Sequence, residues 1–129
     1  MSSLVKQVEA EAQKAFEQNP TSLAGPRAVY SQALEKRLQD LSQVNSAKEK
    51  TACESDICSL YVSRAAMEIN CKQKKQAKLV FDEALKQDFC NRSNMIWKAY
   101  INFCIREGKA ETARKHFRTA VDSVDVSIL

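Results

Sequence analysis

The sequence predicts an all-α protein, and three observations support this. Only two glycines and two prolines occur among the 129 residues, which leaves little of the turn chemistry that a many-stranded β fold requires. Alanine, leucine, lysine, glutamate and glutamine dominate the chain, and all are strong helix formers. One apolar pattern also recurs three times, as in stacked helical hairpins. We therefore expect an α-solenoid of antiparallel helix hairpins, with about three repeats and six to seven helices.

The recurring pattern defines the second helix of each hairpin, which we call helix B. Each copy begins with a small residue or proline, has a basic residue next to it, places an aromatic at the fifth position and ends with alanine and an aliphatic residue. The aromatic and the alanine are three apart and therefore share one helix face. The three copies occupy residues 26–34, 77–85 and 113–121.

The first helix of each hairpin, helix A, is found 23 residues before the alanine of each copy. Counting back from Ala33, Ala84 and Ala120 reaches Ala10, Tyr61 and Trp97. The last two repeats are 36 residues apart and the first two are 51 apart. The excess falls in the polar stretch Leu41–Asp56, which we interpret as an inserted loop or an extension of helix B.

These spacings predict one helical-repeat domain over residues 1–129. Within it we place repeat 1 at about 4–40, a polar insertion at about 41–56, repeat 2 at about 57–88 and repeat 3 at about 94–125.

Turn residues occur where the hairpins need them. Gly108 suits the position just after a helix end, and Asn70-Cys71-Lys72 occupies the equivalent place in repeat 2. Pro20 prevents the first helix from continuing. Ser93 or Asn94 is expected to cap the helix that contains Trp97.

The motif Trp97-x-x-Tyr100-x-x-Phe103, followed by a turn and Ala113-Arg114-x-x-Phe117-x-x-Ala120-Val121, resembles the half-a-tetratricopeptide (HAT) repeat. The resemblance covers nearly the whole chain except residues 41–56. Repeat 2 departs from it at Arg64, where the family has its second aromatic, and repeat 1 departs at Ala10 and Gln13. Ordinary tetratricopeptide (TPR) repeats share the architecture. The HAT resemblance implies a nuclear, non-enzymatic scaffold in an RNA-processing complex, often dimeric.

Several site classes are not expected from the residues. No window is apolar enough for a membrane span and the first residues do not resemble a signal peptide, so we expect a soluble intracellular protein.

Trp97, Tyr100 and Phe103 have the spacing of core residues. The five cysteines and His116 lack the short CxxC spacing of a zinc site. His116 lies in a surface-leaning stretch of helix B without a glycine-rich oxyanion segment, which argues against a cysteine–histidine catalytic pair. Two glycines cannot build a phosphate-binding loop. We predict no enzyme activity, no catalytic residue, no metal and no cofactor.

The net charge of +4 is uneven, with −1 over residues 1–56 and +5 over residues 57–129. The candidate residues for contact with RNA phosphates or an acidic partner are Lys72, Lys74, Lys75, Lys78, Arg106, Lys109, Arg114, Lys115 and Arg118. A solvated helix face would look similar.

Two alternatives to the scaffold stay open, a direct RNA-binding helical module and a TPR-like peptide-binding adaptor outside RNA biology. Because the ends of a helical stack expose apolar faces, we expect the chain to bind other protein subunits, form a homodimer or belong to a longer solenoid.

Overall fold

A computed structural model describes residues 3–123, and every secondary-structure element in this range is a helix. The all-α prediction is confirmed, and the seven helices of the described range match the predicted number. Residues 124 and 125, which the sequence assigns to repeat 3, lie outside the described range. The helices are α1 (Ser3–Gln18), α2 (Ala24–Gln43), α3 (Ala47–Asn70), α4 (Lys74–Leu85), α5 (Asp88–Asn91), α6 (Asn94–Arg106) and α7 (Ala110–Ser123).

The stretch predicted as an insertion is mostly helical. Helix α2 continues to Gln43, so part of the expected extension of helix B is present. Helix α3 begins at Ala47, however, and most of residues 41–56 therefore belongs to the following helix and not to a loop. The Ser46 side chain accepts a hydrogen bond from the Glu49 amide at 3.0 Å, which caps the start of α3. This cap lies inside a polar stretch without a strong apolar period, and apolar period is the signal on which a helix assignment from sequence depends.

The chain divides into two compact units, Met1–Arg64 and Ala65–Leu129, and the division falls within α3. The single domain expected over the whole chain stays a prediction, and each unit is described by itself.

Unit 1 contains α1, α2 and the first part of α3. Val5, Val8 and Ala12 form the buried side of α1. A hydrogen-bond chain then links the three helices. The Ser63 hydroxyl on α3 donates to the Glu9 carboxylate on α1 at 3.1 Å. It therefore accepts from the Tyr30 hydroxyl on α2, 2.6 Å away. Burial, together with the Glu9 charge, raises the pKa of Tyr30, so the phenol remains a donor.

Two helices of unit 2, α3 and α6, end in the same way, and their ends are 36 residues apart. Lys72 follows α3 with φ 62°, and Gly108 follows α6 with φ 73°. In both places the amide of the next residue bonds back across the turn, Gln73 to the Glu68 carbonyl at 2.8 Å and Lys109 to the Cys104 carbonyl at 2.9 Å. These are Schellman caps, which satisfy the last carbonyls of a helix. The ends of α3 and α6 and the starts of α4 and α7 are also 36 residues apart.

The residue that adopts the left-handed conformation is lysine in one cap and glycine in the other, which predicts opposite effects of substitution. Lys72→Gly should raise the free energy of unfolding by up to about 1 kcal/mol, because glycine has no Cβ penalty at positive φ. Gly108→Ala should lower it by about 1 kcal/mol. An added Cβ at Gly108 would meet no atom within 4 Å, so this cost comes from the backbone alone. Urea unfolding of both variants measures the two shifts, and shifts of the same sign would contradict the cap assignment.

Candidate functional site

A layer of aromatic rings joins α4, α6 and α7 in unit 2. Phe81 stacks on Tyr100 with centroids 4.7 Å apart and an interplanar angle of 9°, and Phe103 lies 5.8 Å from Phe81. Trp97, Tyr100 and Phe103 are all buried, as the sequence predicts. Their faces are used for packing between helices and do not form an exposed stacking platform.

The polar atoms of the layer also bind within unit 2. The Tyr100 hydroxyl donates to the Asp82 carboxylate at 3.0 Å, and the Trp97 indole donates to the Asn91 carbonyl at 2.7 Å. Burial and the hydrogen bond to Asp82 both raise the pKa of Tyr100, so it remains a neutral donor. Helix α6 is itself capped by Ser93, whose hydroxyl accepts from the Met95 amide at 3.3 Å. This is one of the two caps expected from the sequence.

His116 lies against this layer and not on the surface-leaning side of helix B that the sequence suggests. Its ring centroid is 4.2 Å from that of Tyr100 and 5.9 Å from that of Trp97. The side chain is half-buried, and its Nε2 atom is buried with no hydrogen-bond partner. Burial lowers the pKa of His116 below its ordinary value, so the neutral ring is favoured in the fold.

The depressed pKa of His116 predicts a loss of stability in mild acid. The unfolded chain takes up a proton near pH 6.5 whereas the folded chain resists it, so the free energy of unfolding should fall as the pH drops through the unfolded and then the folded pKa. Because His116 is the only histidine, a His116→Gln variant should show a smaller loss between pH 7.5 and about pH 5.5. Thermal unfolding of both proteins at the two pH values measures this, and equal losses would contradict it.

The cysteines do not assemble into a site within the described range. None of them forms a disulfide, four are buried and Cys71 is half-buried. Burial raises the pKa of the Cys53 and Cys104 thiols, which disfavours the reactive thiolate. Among residues 3–123, no group of three histidine, cysteine or carboxylate side chains is placed to hold a metal ion.

All nine basic residues singled out by the sequence have exposed side chains. Two of them form ion pairs, Lys74 with Glu107 at 3.1 Å and Arg114 with Glu111 at 3.0 Å. Lys78 and Lys109 both act on the Cys104 thiol and lower its pKa against the larger effect of burial. The ammonium groups of Lys78 on α4 and of Lys109, just before α7, therefore both lie within electrostatic range of the Cys104 thiol on α6.

An apolar groove lies on the side of α7 that also faces α6. The sequence predicts exposed apolar faces at the ends of a helical stack but does not locate this groove. Phe117 is 58% exposed there, although its equivalent in the repeat pattern, Phe81, is 1% exposed. The groove has a volume of about 390 Å³ and is lined by Ile101, Ile105, Ala110, Ala113, Arg114, Phe117 and Arg118. Nothing in the α7 sequence distinguishes the two phenylalanines, since the difference lies in what packs on each helix.

Comparison with protein-family models, with characterised proteins and with solved structures finds no match to this chain. Within the range that the structure describes, none of the helices combines the length and the apolar character that crossing a membrane requires.

Proposed function

We propose that the chain is a non-enzymatic protein–protein interaction scaffold of the HAT type, acting in a nuclear RNA-processing complex. The observation that supports this best is a repeated spacing in unit 2. Helix ends, left-handed caps and helix starts recur at a 36-residue interval. An interval of this length is typical of helical-hairpin repeats, whose stacked helices present extended binding surfaces.

The chemistry of the aromatic layer supports a scaffold over a catalyst. The Tyr100 hydroxyl and the Trp97 indole form internal hydrogen bonds. The Cys104 thiol is buried and its pKa is raised. These groups stabilise the packing of α6. The nuclear setting and the RNA-processing partners rest on the sequence resemblance alone.

Affinity purification tests this proposal. The full chain with an epitope tag, expressed in its own cells, should recover RNA-processing proteins from nuclear extract, and recovery should survive RNase treatment. A matched preparation from the cytosolic fraction should recover few of them. Partners drawn only from outside RNA processing would overturn the nuclear assignment in favour of the TPR-like adaptor.

A second candidate function, direct RNA binding, is favoured by the exposure of all nine basic side chains. A phosphate backbone needs accessible cations, and these side chains supply them on α4, α6, α7 and the turns beside these helices. The described aromatics of α6 are buried, so contacts would be electrostatic and insensitive to base sequence.

Neutralising four lysines separates this candidate from the scaffold. Changing Lys72, Lys74, Lys75 and Lys78 to glutamine should weaken binding to a single-stranded RNA. The slope of log affinity against log salt should flatten by about 0.7 for each RNA phosphate that is no longer neutralised. The matched control changes four exposed lysines of unit 1, namely Lys6, Lys14, Lys48 and Lys50. Equal RNA affinity of the two variants would dispose of a specific RNA surface in unit 2.

A further inference from the structure

We propose that the groove around Phe117 binds an amphipathic helix of a partner protein, which places an aromatic ring on Phe117 and a carboxylate opposite Arg118. This inference rests on the proposed scaffold function and specifies the surface and the chemistry of one partner. It follows from three observations: the 36-residue register of unit 2, the helix that covers Phe81, and the charges that border each phenylalanine.

The register makes α7 the counterpart of α4. Phe117, Ala113 and Ile101 lie 36 residues after Phe81, Ala77 and Ala65. The three earlier residues are buried, whereas Phe117 is more than half exposed. Ala113 is buried like Ala77, and Ile101 is half-buried. The two faces therefore differ most at the phenylalanine, which is covered at position 81 and uncovered by the described residues at position 117.

The covered copy shows which kind of element fits this face. Phe81 is covered by α6, a helix that places Tyr100 flat against its ring and Phe103 5.8 Å away with its ring tilted by 36°. The two aromatics are three residues apart and so project from one side of α6. An occupant of the Phe117 groove that uses the same packing is a helix with aromatic residues at this spacing.

The charges determine how the occupant differs from α6. On α4 the residue after Phe81 is Asp82, whose carboxylate accepts a hydrogen bond from the Tyr100 hydroxyl. The counterpart of Asp82 on α7 is Arg118, and Arg114 also borders the groove. Arg118 therefore replaces the acceptor with a donor, and a carboxylate is the preferred partner of a guanidinium group. Arg114 is the counterpart of Lys78, so it keeps a positive charge at its position, and it also pairs with Glu111.

The same charges argue against a second copy of α6 as the occupant. Helix α6 has exposed cations at Lys98 and Arg106, which would add positive charge beside Arg114 and Arg118. Its aromatic side is also already used against Phe81. We therefore assign the groove to a different protein with an acidic amphipathic helix.

The probe for this groove is a labelled peptide. It has the α6 sequence Asn94–Arg106 with the two changes Lys98→Glu and Arg106→Glu. Fluorescence anisotropy with the full chain should show saturable binding, and the unmodified peptide should bind more weakly. Phe117→Ala should weaken binding of the acidic peptide about tenfold or more. Arg118→Glu should reverse the preference between the two peptides. Leu79→Ala removes an apolar side chain that is also 58% exposed but lies outside the groove, so it should leave affinity unchanged.

Five outcomes would overturn the proposal. Binding that is insensitive to Phe117→Ala would mean that the peptide replaces α6 on Phe81 or binds elsewhere. Equal affinity of the two peptides would remove the acidic requirement. Sedimentation showing a dimer that Phe117→Ala dissociates would assign the groove to a second copy. Binding that requires removal of residues 124–129 would assign it to the chain's own last segment. If the tagged chain recovers the same partners with and without Phe117→Ala, the scaffold function stands and the assignment of this groove fails.

Discussion

Replacing Phe81 with alanine is expected to lower the free energy of unfolding by about 3–5 kcal/mol, the largest effect expected of a single substitution proposed for this protein. Phe81 is 1% exposed and contacts two rings of α6, stacking on Tyr100 and meeting Phe103. Truncation removes the buried ring and leaves a cavity between α4 and α6 that the remaining side chains fill only in part. Urea unfolding followed by circular dichroism and by Trp97 fluorescence measures the loss, since Trp97 is the only tryptophan.

The matched control is Phe117→Ala, which changes the same residue type at the equivalent position of the next hairpin. Phe117 is 58% exposed, so its truncation should cost no more than about 0.5 kcal/mol. Comparing the two variants measures how much stability α6 contributes by covering the phenylalanine, because the two residues occupy equivalent positions in the 36-residue spacing. Equal losses in the two variants would contradict the structure of unit 2, because they would require Phe117 to be covered as Phe81 is.

Much of unit 2 can be predicted from the sequence because its signals are local. Gly108 marks a left-handed cap through its lack of a side chain, and the repeat spacing alone places Asn70-Cys71-Lys72 in the equivalent turn. Helical spacing assigns Trp97, Tyr100 and Phe103 to the core, and they are buried. Such features depend on a few neighbouring residues and on the helical period, which a single sequence contains.

The remaining features depend on contacts between distant residues. Ser63 binds Glu9, 54 residues away, and nothing in either local sequence indicates the pair. The sequence also suggests a surface position for His116, because it does not show that the ring lies against Tyr100. Phe117 fits the helix B pattern as well as Phe81 does, and the groove around it exists only once the helices are packed.

In unit 1, replacing Arg37 with alanine is expected to lower the free energy of unfolding by about 2 kcal/mol, between the values typical of exposed and of buried ion pairs. One guanidinium nitrogen binds Asp56 of α3 at 2.5 Å and another binds Asp40 of α2 at 3.1 Å. The Arg37 and Asp56 side chains are only 25% and 16% exposed. Burial opposes the charge on Arg37, but its bonds to the two carboxylates outweigh that effect and raise its pKa. Without Arg37 the half-buried Asp56 carboxylate loses its cation.

A double-mutant cycle with Asp56→Ala isolates the ion pair, and thermal or urea unfolding provides the four free energies. The double variant should lose less than the sum of the two single variants, because either change alone already breaks the pair. Arg37→Lys keeps the charge but cannot bind both carboxylates through a fork, so its loss should be intermediate. The matched control is Arg114→Ala, whose pair with Glu111 has side chains 67% and 83% exposed and should contribute less than about 0.5 kcal/mol. Additive losses of Arg37→Ala and Asp56→Ala would mean that this ion pair does not hold α2 against α3, and that the link depends on other contacts such as the bond from the Cys53 thiol to the Arg37 carbonyl at 3.2 Å.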